Sequence, residues 1–261
     1  MALSVSMVAV SCWLLFGNRG TPDDLHSTTS CAECHRSAFV SVQDFSMVSS
    51  RVGLEGGVAL CTSLSGGSAL ESINLSDNPM EAAIGKSIAD LVLKHKGLKR
   101  LLLNDLCMGD EGITLLCGPL AQPESCPQLE HLELSWNEIS PASSPVVATA
   151  LASKQRTLRV VVLNDNELEC AGAIHVATGL QGSRVLEELN LSTNTIGRVG
   201  ALAVAKTCAG APNLKTLSLS DNVISEEGVD EVRFCHGSCA TCFRRDCCGS
   251  GACDCRTPVR R

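Results

Sequence analysis

The stretch Leu129-Glu130-His131-Leu132-Glu133-Leu134-Ser135-Trp136-Asn137 decides how the rest of the chain is read. Its apolar residues stand at 129, 132 and 134, and it closes on an asparagine. The same frame returns as Leu70, Ile73, Leu75, Asn78, as Leu158, Val161, Leu163, Asn166, as Leu186, Leu189, Leu191, Asn194 and as Leu214, Leu217, Leu219, Asn222. Another copy, Leu98, Leu101, Leu103, carries Leu106 where the asparagine should stand, and a weaker first copy reads Val42, Phe45, Met47, Ser50. From Leu70 the copies step by 28, 31, 29, 28 and 28 residues, a register that chance does not hold.

Each copy ends in a period-2 strand whose leucines face one side and whose alternate residues face the other. A turn follows, often with a nearby glycine (Gly56, Gly112, Gly172, Gly200, Gly228), and then apolar residues at helical spacing, such as Leu60 with Leu64 or Ala173, Val176, Ala177 with Leu180. One such unit cannot bury its own apolar face, so the units must stack. The expected product is an α/β leucine-rich-repeat solenoid, a horseshoe of the ribonuclease-inhibitor-like class, with parallel strands concave and helices convex. The asparagines are expected to satisfy backbone groups where the chain leaves each strand. Leu106 cannot do so, and with the step of 31 and the insertion bearing Pro119, Pro123 and Pro127 it predicts an irregular third unit. Three regions follow: a poorly ordered leader over 1–41, about seven repeats over 42–232, and a disordered Cys/Arg-rich tail over 233–261.

Composition limits the function. The formal charge of −7, five Phe, two Trp and no Tyr argue against a phosphate-binding surface or base-stacking platforms. Six of the sixteen cysteines (Cys61, Cys107, Cys117, Cys126, Cys170, Cys208) lie singly within the repeats and read as small buried hydrophobes of a reduced protein. The glycines at 53, 56 and 57 precede no Gly-Lys-Ser/Thr, and His95, His131 and His175 fall in different repeats, so neither a phosphate loop nor a catalytic triad emerges. The expectation is a non-catalytic protein without cofactor, nucleic acid, small-molecule substrate or membrane insertion.

The wording inside the repeats is more specific than their frame. Ser49-Ser50-Arg51-Val52-Gly53-Leu54-Glu55-Gly56-Gly57-Val58-Ala59-Leu60, Ala152-Ser153-Lys154-Gln155 and Leu163-Asn164-Asp165-Asn166-Glu167-Leu168 resemble plant and algal Ran GTPase-activating proteins. So do Leu191-Ser192-Thr193-Asn194-Thr195-Ile196 with Gly200-Ala201, and the run from Asn222 to Val232. The likeness is collinear from about Met47 to Val232 and falls on the C-terminal half of that family's repeat domain. It implies a crescent that grips a Ran-like small GTPase in its GTP form, in the cytoplasm or at the nuclear envelope. The family asparagine that helps position Ran's catalytic groups belongs to repeats upstream of this stretch, so no catalytic residue is carried over.

Period 2 alone selects the side chains that could meet a partner. The outward strand positions include Arg100, His131, Glu133 and Glu188, with Val160 and Val162 between them. A second row just beyond the strands holds Asp77, Asp105, Trp136, Asp165, Thr193 and Asp221. Its aspartates either form an acidic ridge for a basic protein surface or serve the turn that follows, and one side chain can do both. Trp136 is either a binding hot spot or packed against a neighbouring loop.

The ends carry weaker signals. Residues 2–16 are apolar but too few to span a bilayer, and they lack the basic start of a signal peptide. Cys31-Ala32-Glu33-Cys34-His35 has c-type haem spacing in a stretch with little apolar material to enclose a haem, which leaves a chance match as the plainer reading. The tail holds Cys235, Cys239, Cys242, Cys247, Cys248, Cys253 and Cys255 beside His236, and its six Arg and two Asp make it net positive by four. One Cys-x2-Cys pair leaves zinc binding and a reactive-thiol tail both open. The sequons at Asn74 and Asn190 fall inside expected strands and read as repeat residues. A first repeat without a covering unit is expected to expose Phe45 and Leu54.

Overall fold

The computed structural model describes residues 42–66 and 69–225. The apolar stretch at 2–16, the Cys31–His35 motif and the Cys-rich tail lie outside the described residues.

Strands β1 (Asp44–Ser46), β2 (Ser72–Asn74), β3 (Arg100–Leu102), β4 (His131–Glu133), β5 (Val160–Val162), β6 (Glu188–Asn190) and β7 (Thr216–Ser218) form one open sheet. They pair in parallel and in sequence order, residue for residue: Ile73 lies beside Leu101, Leu101 beside Leu132, and Leu132 beside Val161. Parallel neighbours need a crossover, and each is a helix. These are α1 (Leu54–Leu64), α2 (Ile84–Lys94), α3 (Gly109–Leu120), α4 (Ser144–Ser153), α5 (Glu169–Leu180) and α6 (Arg198–Ala209), each packed on the next.

Two columns of side chains form the layer between sheet and helices. The strand centres Phe45, Ile73, Leu101, Leu132, Val161, Leu189 and Leu217 are buried, as are Met47, Leu75, Leu103, Leu134, Leu163, Leu191 and Leu219 one alternation further on. Burying each Leu or Val contributes about 1.5–3 kcal/mol, so strands only three residues long persist because the column continues above and below them. The first repeat departs from expectation. Phe45 is only 6% exposed and Leu54 packs, partly buried, against the core, because Val42, Met47, Val52 and Leu60 close around the same cluster.

The asparagines form the expected internal ladder. Asn166 Oδ1 accepts from the backbone N–H groups of Asn137 (3.0 Å) and Ile139 (3.1 Å), while its Nδ2 donates to the carbonyls of Leu134 and Leu163. Asn78, Asn194 and Asn222 each repeat the donation to a carbonyl one unit back. At the third unit, where leucine replaces the asparagine, backbone does the work instead. Asn78 N–H donates to the Asp105 carbonyl, and the Met80 and Glu81 N–H groups donate to the Leu106 carbonyl. Leu106 itself is buried and the strand register is undisturbed, so the irregularity is confined to the turn.

The longer step is absorbed after α3. Lys154, 3% exposed, reaches from the end of α4 to donate through Nζ to the carbonyls of Gln122 (2.9 Å) and Ser125 (2.5 Å), closing the inserted loop. Burial pulls this ammonium's pKa below the ordinary lysine range. On the helix layer, α2 and α3 approach so closely that a Cβ on Gly85 would stand 2.2 Å from the Gly112 carbonyl oxygen. Only glycine permits backbone to meet backbone there.

The cysteines divide. Cys61, Cys117 and Cys126 are buried and burial pushes their thiols up to about 12, and Cys208 is buried as well. Cys107 is exposed and Cys170 half-buried, contrary to the expectation that all six are core residues, because Cys107 sits in the turn between β3 and α3 and Cys170 in the first turn of α5, outside that helix's buried positions.

Candidate protein-binding wall and rims

The outward strand residues build a wall from the side chains named by period 2. Arg100, at the start of β3, is exposed and its guanidinium pairs with Asp44 of β1 at 2.9 Å, across the intervening β2. His131 Nε2 lies 2.6 Å from Glu133 Oε1 on β4, and Asn104 Nδ2 donates to the other carboxylate oxygen at 2.6 Å. The His131 hydrogen bond holds the Glu133 carboxyl below the usual range against the opposing effect of burial, with Asn104 adding to it. Val160 and Val162 follow on β5 and Glu188 on β6, all half-buried. The wall thus runs from a cation through a tied polar pair to an apolar strip and a carboxylate.

The rim at the C-terminal ends of the strands is set by backbone conformation. Asp77, Asp105, Trp136, Asp165, Thr193 and Asp221 all take positive φ, between 51° and 59°. Aspartate and asparagine enter this left-handed region more readily than most residues, which gives the aspartates a reason to stand in the turn whatever they bind. Asp77 Oδ2 accepts from Ser49 Oγ at 3.0 Å, and Asp165 Oδ2 accepts from Asn164 Nδ2 at 2.6 Å. Trp136 is not packed against a loop. It is 59% exposed and lines a groove of about 450 Å³ together with Asp105, Glu138, Asp165, Glu167 and Asp221, so Asp77 is the one row aspartate outside it.

The opposite rim holds a feature that the reading of strand alternation passed over. The residues immediately before β2 to β7 are Glu71, Lys99, Glu130, Arg159, Glu187 and Lys215, alternating in sign at every step. Lys99 pairs with Glu71 at 2.8 Å, Arg159 with Glu187 at 2.5 Å and more loosely with Glu130 at 4.0 Å, and Lys215 with Glu187 at 2.5 Å. Aligning the repeats by the position before the strand would have exposed this ladder.

Among the described residues, the one serine–histidine contact lies away from both surfaces. Ser144 Oγ lies 2.8 Å from His175 Nδ1, but Ser144 is fully buried and its hydroxyl also donates to the Pro141 carbonyl. Among the described residues no group of three or more His, Cys, Asp or Glu could hold a metal ion, and no helix is long and apolar enough to cross a membrane.

A family model described as Leucine Rich repeat matches residues 125–142, 182–205 and 210–232. The fold is a leucine-rich-repeat solenoid. The chain is similar to the ribonuclease inhibitor of Sus scrofa, 29% identical over 177 residues that cover 58% of this chain and 39% of that protein. It is similar also to the ribonuclease inhibitor of Mus musculus, 30% identical over 151 residues, covering 57% and 32% respectively. Protein NLRC5 of Homo sapiens is 30% identical over 137 residues, which cover 52% of this chain and 7% of that protein. The leucine-rich-repeat chain therefore spans well under half the length of these relatives.

Proposed function

We propose that this chain is a protein-binding scaffold whose partner is a small GTPase of the Ran type, held across the strand wall and the neighbouring turns. The observation that carries a binding role is the wall itself. Arg100, His131, Glu133, Val160, Val162 and Glu188 place charge, hydrogen bonding and apolar surface on successive strands of one rigid sheet. An open sheet of this kind suits a macromolecule better than a small substrate, which needs an enclosing cavity. The relatives named ribonuclease inhibitor are named for acting on a protein enzyme, which supports a protein ligand. The Ran-type identity rests on the resemblance of residues 47–232 in wording and order, and with it a site of action in the cytoplasm or at the nuclear envelope.

The test is retention of purified Ran, loaded with GTP or GDP, on the immobilised chain, together with single-turnover GTP hydrolysis. The expected result is preferential retention of the GTP form, weakened about tenfold, or about 1.4 kcal/mol, by Arg100→Glu. Faster hydrolysis assigns activation, and retention without it assigns docking alone. If neither nucleotide form is retained, Ran binding is refuted and a general interaction scaffold remains, a reading favoured by the spread of named relatives over ribonuclease inhibitors and NLRC5.

A further inference from the structure

His95 is the one histidine between residues 42 and 130, and the fold buries it at a join between units. It caps the C-terminal end of α2, is 1% exposed, and its Nε2 lies 3.1 Å from the Leu64 carbonyl at the end of α1. A carbonyl only accepts, so Nε2 carries the ring proton and Nδ1 is bare. Nδ1 is buried without a hydrogen-bond partner. One neutral ring therefore ties the first unit to the second.

Among the described residues no acceptor awaits a second proton on this ring. α1 and α3 carry no charged side chain in their last two turns, only the thiols of Cys61 and Cys117. The inserted loop brings the Cys126 thiol, which donates to the Val92 and His95 carbonyls, and the Ser125 hydroxyl, which is buried and unpartnered like Nδ1. α4 brings the Lys154 ammonium to the same loop, and α2 flanks the ring with Lys94 and Lys96. Asp90 of α2 and Glu124 of the loop are exposed. Burial lowers the His95 pKa, the Leu64 contact opposes it, and Lys94 adds to the lowering. A protonated ring would bury both a charge and an N–H without an acceptor. Because the fold favours the neutral ring, its contribution is complete above the ordinary histidine value and declines as pH drops below it toward the lower folded value.

The place of the ring decides what such a loss releases. β1 is the edge strand of the described sheet, and α1 packs on α2. Asp44 of β1 holds the Arg100 guanidinium at 2.9 Å. We infer that His95 is an acid-released latch: the neutral ring holds the first unit on the stack, and the protonated ring lets residues 42–66 open, freeing Arg100 of the wall from Asp44. The latch works whichever protein the wall binds.

Amide exchange of the full chain, read by mass spectrometry at pH 7.5 and 5.5 and corrected for the intrinsic rate at each pH, tests the latch. An opened unit whose histidine titrates at about 6.5 gains about tenfold in population over that interval when the closed ring stays neutral. Protection over residues 54–64 should therefore fall about tenfold while α5 and α6 keep theirs. His131 and His175 lie in later units, so their titration does not mimic this pattern. His95→Gln, which can still donate to Leu64 and does not titrate, should change by less than about twofold, circular dichroism confirming its fold. Equal protection of α1 in the parent at both pH values, an equal fall in the variant, or a fall shared by every helix overturns the latch. If the variant does not fold, NMR titration of the parent ring decides. A His95 that titrates at or above about 6.5 overturns the latch, and one that titrates lower while α1 loses protection supports it.

Discussion

Replacing Asn166 by alanine tests the asparagine ladder most directly. In the folded chain its Oδ1 accepts from Asn137 N–H at 3.0 Å and Ile139 N–H at 3.1 Å, and its Nδ2 donates to Leu134 at 3.1 Å and Leu163 at 3.0 Å. Asn137 and Ile139 are fully buried, so alanine leaves two backbone donors without a partner, each costing about 1–3 kcal/mol. The expected loss is therefore about 2–6 kcal/mol, a large part of the stability of a domain this size. The third unit shows the one escape, in which carbonyls at 105 and 106 accept in place of an amide. That solution accompanies positive φ at Glu81, four residues after Asp77, whereas the turn facing Asn166 has its second positive φ at Glu138, two after Trp136. Urea unfolding followed by far-UV circular dichroism measures the difference. A loss below about 1 kcal/mol with an unchanged denaturant slope would show that the turn rearranges freely, and the ladder would not be the support argued here.

The close approach of α2 and α3 predicts that Gly85→Ala destabilises by about 1–3 kcal/mol despite alanine's better helix propensity, since its Cβ would lie 2.2 Å from the Gly112 carbonyl oxygen; a raised melting temperature would contradict this. Lys154→Met should free the inserted loop, raising amide exchange over residues 121–128 by about tenfold while leaving the flanking strands protected. Glu133 is held below the usual carboxyl range, so its contribution to stability is present above that range and is lost as pH falls through the lower folded value. Glu133→Gln should consequently flatten the acid limb of a stability-against-pH curve and leave the neutral limb parallel to the parent; an unchanged acid limb would mean that the His131 contact does not persist in solution.

The strands and helices are legible because inward residues repeat with period 2 and then with helical spacing, and every buried column position from Ile73 to Leu219 carries an apolar side chain. The wall residues follow from the same alternation. Less could be seen where backbone substitutes for side chain: Leu106 marks a missing amide, but only the path of the chain at 77–81 shows which carbonyls replace it. The burial of Phe45 depends on Val42, Met47 and Val52, three residues whose weak match to the repeat hid their collective closure. The aspartate row left two readings open, and the left-handed backbone at 77, 105, 165 and 221 explains the choice of residue without deciding what the carboxylates contact. The alternating ladder was legible too, though only by comparing single positions across repeats rather than residues along one.

That alternation imposes a parity on the architecture. Glu71, Lys99, Glu130, Arg159, Glu187 and Lys215 take opposite signs at each step, so excising one 28-residue unit brings two like charges side by side, whereas excising two restores the pattern. Lengthening or shortening of this array by duplication should then be tolerated in pairs and resisted singly, and the elementary module of the molecule, electrostatically, is two repeats.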